Sequence, residues 1–158
     1  MKRSLPFVHH APHIRRARGN TAIEFALLFP LFFMILYGIV TFSMIFVAQQ
    51  SLTLAAQEGA RATLKYQPAK SDAEALTARV NAACPVANGL TNWLADVATC
   101  TTTTANCSFD ATMTCVTVTL TYDYASNPLV PEVPLLNAVL PTQLTSHAMI
   151  QLNPGYLL

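Results

Sequence analysis

The 158-residue chain is 53% apolar and only 11% charged, with a mean hydropathy of +0.38 and a formal net charge of +1. It is too apolar for intrinsic disorder, too short for more than one modest domain beside a greasy segment, and too nearly neutral for a nucleic-acid footprint. The averages hide a local asymmetry: residues 25–48 hold 20 apolar residues in 24, and six of the eight phenylalanines lie between Phe25 and Phe46. Charge is divided as sharply. Residues 1–19 carry five basic residues and no acid, whereas residues 20–158 carry four basic and eight acidic ones, a net of −4.

The basic N-terminal stretch ends in Arg15, Arg16 and Arg18, and a run of 33 uncharged residues then extends from Phe25 to Gln57. A bilayer core of about 30 Å needs about 20 helical residues, so Phe25 to Ala48 is long enough to span one. A remaining domain of this size could hardly wrap such a helix on every side, which disfavours a buried core helix. A cleaved secretory signal would have an apolar core of about 7–15 residues followed by a small-residue site. This core is longer and offers no clean site in its first half, so it reads as a retained anchor. The arginines before it place the N-terminus in the cytoplasm and the C-terminal part outside, by the positive-inside rule.

Two residues interrupt the apolar pattern. Glu24 stands at its cytoplasmic edge, where an acid in the first turn of a helix would be favoured by the macrodipole and an unpaired carboxylate near lipid is costly. Pro30 removes one helical hydrogen bond, which neighbouring helices can compensate in a membrane.

The junction reads Arg15-Arg16-Ala17-Arg18-Gly19-Asn20-Thr21-Ala22-Ile23-Glu24-Phe25. A basic leader, a glycine, four residues, then Glu and an aromatic ahead of an apolar helix resemble the type IVb prepilin junction. The stretches Glu24 to Leu31, Gly38-Ile39-Val40 and Ala55 to Arg61 extend the resemblance to the TadE-like minor pilins and pseudopilins of tight-adherence (Flp/Tad) systems. The resemblance implies cleavage after Gly19 by a membrane prepilin peptidase, with Gly19, Asn20, Glu24 and Phe25 as the processing determinants. It further implies an inner-membrane location, other pilin subunits and the pilus assembly machinery as partners, and a role in pilus assembly and surface adhesion. Glu24 would register subunits by neutralising the new ammonium of a neighbour's Asn20. Asn20 departs from the Phe or Met that many type IV pilins carry there. The other reading of the same layout is an uncleaved, single-pass, exported binding domain.

Beyond the span, Leu52, Ala55, Ala56, Gly59, Ala60 and Thr63 form a small-residue face at helical spacing. That face suits either a partner helix or the protein's own domain. With the span it predicts one helix over residues 21–65, ended near Pro68, with Glu58 and Arg61 paired on its side. Ser71-Asp72-Ala73-Glu74 is a capping-box pattern that opens a second helix with Ala73, Leu76, Val80 and Ala83 inward, closed by Pro85. Residues 86–95 read as a connection with a turn at Asn88-Gly89. From Cys115 to Tyr124 apolar and polar residues alternate, the period of a half-buried antiparallel strand. Asp96–Thr102 and Leu144–Leu152 are its predicted partners, the latter with Leu144, Ala148, Ile150 and Leu152 inward. A loop with Pro128, Pro131, Pro134 and Pro141 precedes the last strand. The ten threonines of residues 99–121 are accounted for by β-propensity.

Cys84, Cys100, Cys107 and Cys115 all fall in the exported part. An even number in an oxidising compartment implies two disulfides with three possible connectivities. No pair has C-x-x-C spacing and His147 is the one exported histidine, so a metal is not expected; His9, His10 and His13 lie in the leader. No phosphate loop, nucleophile motif or metal helix points to an enzyme, a cofactor or a small-molecule substrate. The expected fold is therefore α+β: a leader over 1–19, a membrane and pilin-like helix over 20–65, and a disulfide-stapled head over 66–158 with one more helix and about three antiparallel strands.

Overall fold

A computed structural model describes residues 20–95, 97–131, 133 and 139–156. Contacts divide the chain into two units, residues 1–37 and residues 38–158. The architecture is α+β: a long apolar helix α1 (Asn20–Ala62), two short helices α2 (Asp72–Asn81) and α3 (Ala83–Thr91), and strands β1 (Thr99–Asn106), β2 (Thr114–Asp123) and β3 (Gln143–Leu152).

In the first unit the described residues are the start of α1. The helix is apolar on every side there, without an amphipathic stripe, the pattern of a helix surrounded by apolar material rather than one lying on a core. Pro30 lies inside it, and the helix continues through it.

The second unit, the head, forms around the remainder of α1. Ile45, Ala48, Leu52, Ala55, Ala56 and Ala60 are buried on one side of the helix, in one cluster with Val118, Leu120, Tyr122, Tyr124 and Leu144 of the sheet region, and Thr41 is buried as well. The small-residue face therefore packs on the protein's own domain. Its smallest member is the reason α3 can approach: a Cβ placed on Gly59 would stand 3.1 Å from both Ala83 O and Ala87 Cβ. Polar residues on the flank of α1 bond to β3, with Gln49 Nε2 donating to Thr145 O at 2.9 Å and Ser146 Oγ to Thr53 Oγ1 at 2.9 Å. The helix ends in a tightened turn, where the N–H groups of Thr63, Leu64 and Lys65 each reach the carbonyl three residues back.

The sheet is antiparallel in the order β1-β2-β3, with Val118 opposite Thr102 on one side and Ala148 on the other. β2 is the centre because its alternation supplies an unbroken apolar face: Val116, Val118, Leu120 and Tyr122 are buried while the threonines between them are half-exposed. In β3, Leu144, Ser146 and Leu152 are buried, with Ala148 and Ile150 half-buried. β1 starts and ends later than the predicted 96–102, and Asp96 lies outside the described residues. After β2, Tyr122 Oη donates to Asn127 O at 2.7 Å. Hydrogen bonds from the side chain and N–H of Ser126 hold the Asp123 carboxyl below the usual carboxylate range. Of the proline loop, Pro134 lies outside the described residues.

The helices correct two expectations. Ser71 does cap α2, with Glu74 N–H donating to its Oγ at 3.3 Å, and the Glu74 carboxylate accepts from the N–H of Lys70 at 2.9 Å. The inward face is rotated, however: Ala75 and Arg79 are buried and Ala73 is exposed. Ala75 joins Val116 and Leu152 in a second apolar cluster, with Leu76 and Val80 on its edge. Pro85 does not close α2. It is the third residue of α3, in the first turn, where a helix needs no N–H from it. Residues 83–91 are therefore helical rather than a connection, followed by a single 3-10 turn over Asn92–Leu94. Ala83, Ala87 and Thr91 are buried at four-residue intervals, and that packing outweighs the poor helix propensity of Asn88 and Gly89.

Two disulfides complete the head. Cys84–Cys100 ties α3 to β1 with a Cα–Cα distance of 5.6 Å, and Cys107–Cys115 closes the β1–β2 connection at 5.0 Å.

Candidate junction and apolar helix

The candidate site is the start of α1. Between Asn20 and Gln57 the only charged residue is Glu24. Glu24 is exposed, and its neighbours Ile23, Phe25, Leu27 and Leu28 are exposed apolar residues. The first turn of α1 contains no acid. Glu24 thus stands one turn further in than the macrodipole argument assumed, and that effect fades beyond the first turn. Its position instead puts a lone carboxylate among apolar side chains, where an external cation would offset the cost of removing it from water.

Phe25 begins an aromatic ladder at four-residue spacing. Its ring centroid is 5.5 Å from that of Phe29; Phe29 and Phe33 are 6.3 Å apart, and Phe33 and Tyr37 are 6.4 Å apart. The spacing follows from the helical repeat, so the ladder is an internal feature of α1. All three of its phenylalanines are more than half exposed, leaving a broad apolar surface on this side.

Gly19, the residue before the expected cleavage point, and the leader histidines His9, His10 and His13 lie outside the described residues. Asn20 is the first residue of α1. The four cysteines are far along the chain from this junction and are joined in the two pairs given above. Among the described residues no group of three or more His, Cys, Asp or Glu side chains gathers at one place. Glu58 and Arg61 pair at 2.9 Å on the exposed side of α1, with the arginine side chain 70% exposed; a pair so open to solvent contributes little stability.

Among the described residues one helix segment, Thr21–Ala62, is long and apolar enough to cross a membrane. Residues 19–61 match the family model of the TadE-like proteins. The N-terminal segment thus resembles the TadE-like proteins, over 43 of the 158 residues. The match begins at Gly19 and follows α1 almost to its end, leaving α2, α3 and the sheet outside it. No curated protein and no solved structure matches the chain. The TadE-like segment thus contains Glu24, the aromatic ladder and all of the small-residue face but Thr63.

Sequence reasoning passed over one residue at the rim of this helix. Trp93, the single tryptophan, lies in the 3-10 turn after α3 and donates from Nε1 to Ser51 Oγ at 2.9 Å. An unpaired aromatic in a polar stretch gave no periodic signal, and only the fold brings it to α1.

Proposed function

We propose that this chain is a prepilin-type minor pilin or pseudopilin of a Tad pilus. In this reading residues 1–19 are a cytoplasmic leader, residues 20–65 a membrane and assembly helix, and residues 66–158 an exported head. The observation that carries it is the junction itself: arginines, Gly19, four residues, then Glu24-Phe25 leading into the TadE-like helix. The two disulfides support an oxidising location for the head.

The chemistry is a hydrolysis performed on this chain by a prepilin peptidase. Water adds across the Gly19–Asn20 amide, the glycine leaves as a carboxylate, and the asparagine retains an α-ammonium at the membrane edge. Five positive side chains depart with the leader, and the mature side chains carry −4. An α-ammonium near lipid and the Glu24 carboxylate are each unfavourable alone. Paired between two subunits, they offset one another and fix the axial register of one helix against the next. The head would then enter the fibre or remain with the assembly machinery that initiates it.

Glu24→Gln separates the two roles of this residue. With the cognate peptidase present, the variant should still be processed, because glutamine keeps the shape and polarity at the fifth mature position. It should be lost from sheared pilus fractions, because its amide cannot neutralise a neighbour's ammonium. Immunoblots of membrane and sheared fractions read both outcomes. Recovery of Glu24→Gln in pili at the wild-type level would contradict the assignment.

A further inference from the structure

Within the head, the outward face of α1 is apolar where a domain surface would ordinarily be polar. Phe42, Phe46, Val47 and Leu54 are exposed, Phe46 to 63%. Two grooves flank this face and share Val47. The first, about 740 Å³, includes Ile39, Ile45, Phe46 and Leu144, and its only polar side chains are Ser43 and Gln49. Both already have acceptors within the protein, Ser43 Oγ donating to Ile39 O at 2.7 Å and Gln49 Nε2 to Thr145 O at 2.9 Å. Each thus has one hydrogen bond within the protein, and the groove's remaining surface is apolar and suits hydrocarbon. The second groove, about 570 Å³, is more polar. It carries Gln50, Ser51 and Gln57 beside Leu54 and the ring of Trp93, which is 47% exposed.

Polarity thus rises along α1 in the order a bilayer would impose. A hydrocarbon core of about 30 Å that starts at Phe25 ends near Met44 at about 1.5 Å per residue. The polar interface adds about 5–7 Å on that side, reaching Gln49. The first groove then falls at the hydrocarbon edge, and the second, which holds Trp93, opens at Val47 inside the headgroup layer, with Ser51 about 3 Å beyond Gln49. An indole with an apolar body and a satisfied N–H is the side chain that favours this depth. The first charged residue, Glu58, comes a further two turns along.

We infer that the head is seated in the headgroup layer, with Trp93 as its interfacial anchor and a phospholipid acyl chain lying in the groove beside Ile45, Phe46 and Leu144. The occupant is lipid because the groove lies on the same uncharged stretch of helix as the span and is lined mostly by apolar side chains. The inference rests on the reading that α1 crosses the bilayer, and its test distinguishes the two.

The single tryptophan makes the measurement direct. The full chain is reconstituted in phosphatidylcholine–phosphatidylglycerol vesicles containing lipid brominated at shallow or mid-chain positions. Trp93 should lose emission to shallow bromine and be shielded from aqueous iodide. In a Trp93→Phe background, Phe46→Trp should lose emission to mid-chain or shallow bromine, and Phe29→Trp, which reports the span alone, to mid-chain bromine. Quenching of Phe29→Trp, with Trp93 open to iodide and Phe46→Trp unaffected by bromine, overturns the seating and leaves the span intact. Absence of lipid quenching at all three positions overturns the span as well. Phe46→Trp shielded from both bromine and iodide means that a second copy fills the groove, and the lipid assignment fails.

Discussion

Gly59→Leu is expected to destabilise the head by about 3 kcal/mol, at the upper end of overpacking effects. A Cβ at this position would meet Ala83 O and Ala87 Cβ at 3.1 Å and Val118 Cγ1 at 3.3 Å. One of these neighbours is a backbone carbonyl and another a methyl group on a short, rigid stem, so neither can swing aside. The remaining leucine carbons would have to force α1 away from α3 and β2, opening the cluster that includes Leu52, Ala55, Ala56 and Val118. Leucine's better helix propensity returns only about 1 kcal/mol. Gly89 provides the matched control, since a Cβ built there meets nothing within 4 Å beyond its chain neighbours and the local backbone of its own helix. Gly89→Ala in α3 should be neutral or stabilising by up to about 1 kcal/mol. Denaturant midpoints of the detergent-solubilised full chain, followed by near-ultraviolet circular dichroism, compare the two. Equal midpoints for Gly59→Leu and the wild type would mean that α1 does not pack on α3 as described.

Loss of the Cys84–Cys100 disulfide should be nearly as costly. The bond closes a loop with a sequence separation of 16, for which the chain-entropy argument gives about 3 kcal/mol. The Cys107–Cys115 bond closes a separation of 8, and the logarithmic dependence brings its share to about 2.5 kcal/mol. The two differ more in what they join. Cys107–Cys115 lies beside strands that the β1–β2 pairing already holds together, with Ala105 opposite Cys115. Cys84–Cys100 instead connects the helical layer to an edge strand. Against a total stability of about 5–15 kcal/mol for a small domain, either loss is large. The pair Cys84→Ala and Cys100→Ala should lower the urea midpoint markedly while leaving the protein in the membrane fraction. A midpoint unchanged by these substitutions would rule out a stapling role.

The parts of this fold that could be read from sequence are those with one strong, local signal. The uncharged run from Phe25 to Gln57 marked the body of α1, which extends five residues beyond it at each end. Alternation from Cys115 to Tyr124 gave β2 and its buried face. α3 was hidden because Pro85, Asn88 and Gly89 each discourage a helix locally, whereas the forces that make it helical come from elsewhere: the burial of Ala83, Ala87 and Thr91, and the bond from Cys84 to a strand beyond it. The rotated face of α2 has a similar origin. A pattern search treats a charged residue as outward, but Arg79 is buried, and its long apolar stem can lie along the core. At the candidate site, Glu24 and Phe25 were legible from residue type and spacing. Trp93 was not, since its relation to Ser51 spans 42 residues and exists only in the folded head.

The central claim is that the chain is processed at Gly19–Asn20 before it functions. Intact-mass measurement with N-terminal sequencing of the membrane-purified protein, from cells that contain the cognate prepilin peptidase, tests it most directly. Processing predicts a chain of residues 20–158 beginning Asn-Thr-Ala-Ile-Glu-Phe, with the five basic side chains of the leader gone. A chain that still begins at Met1 under those conditions would contradict it.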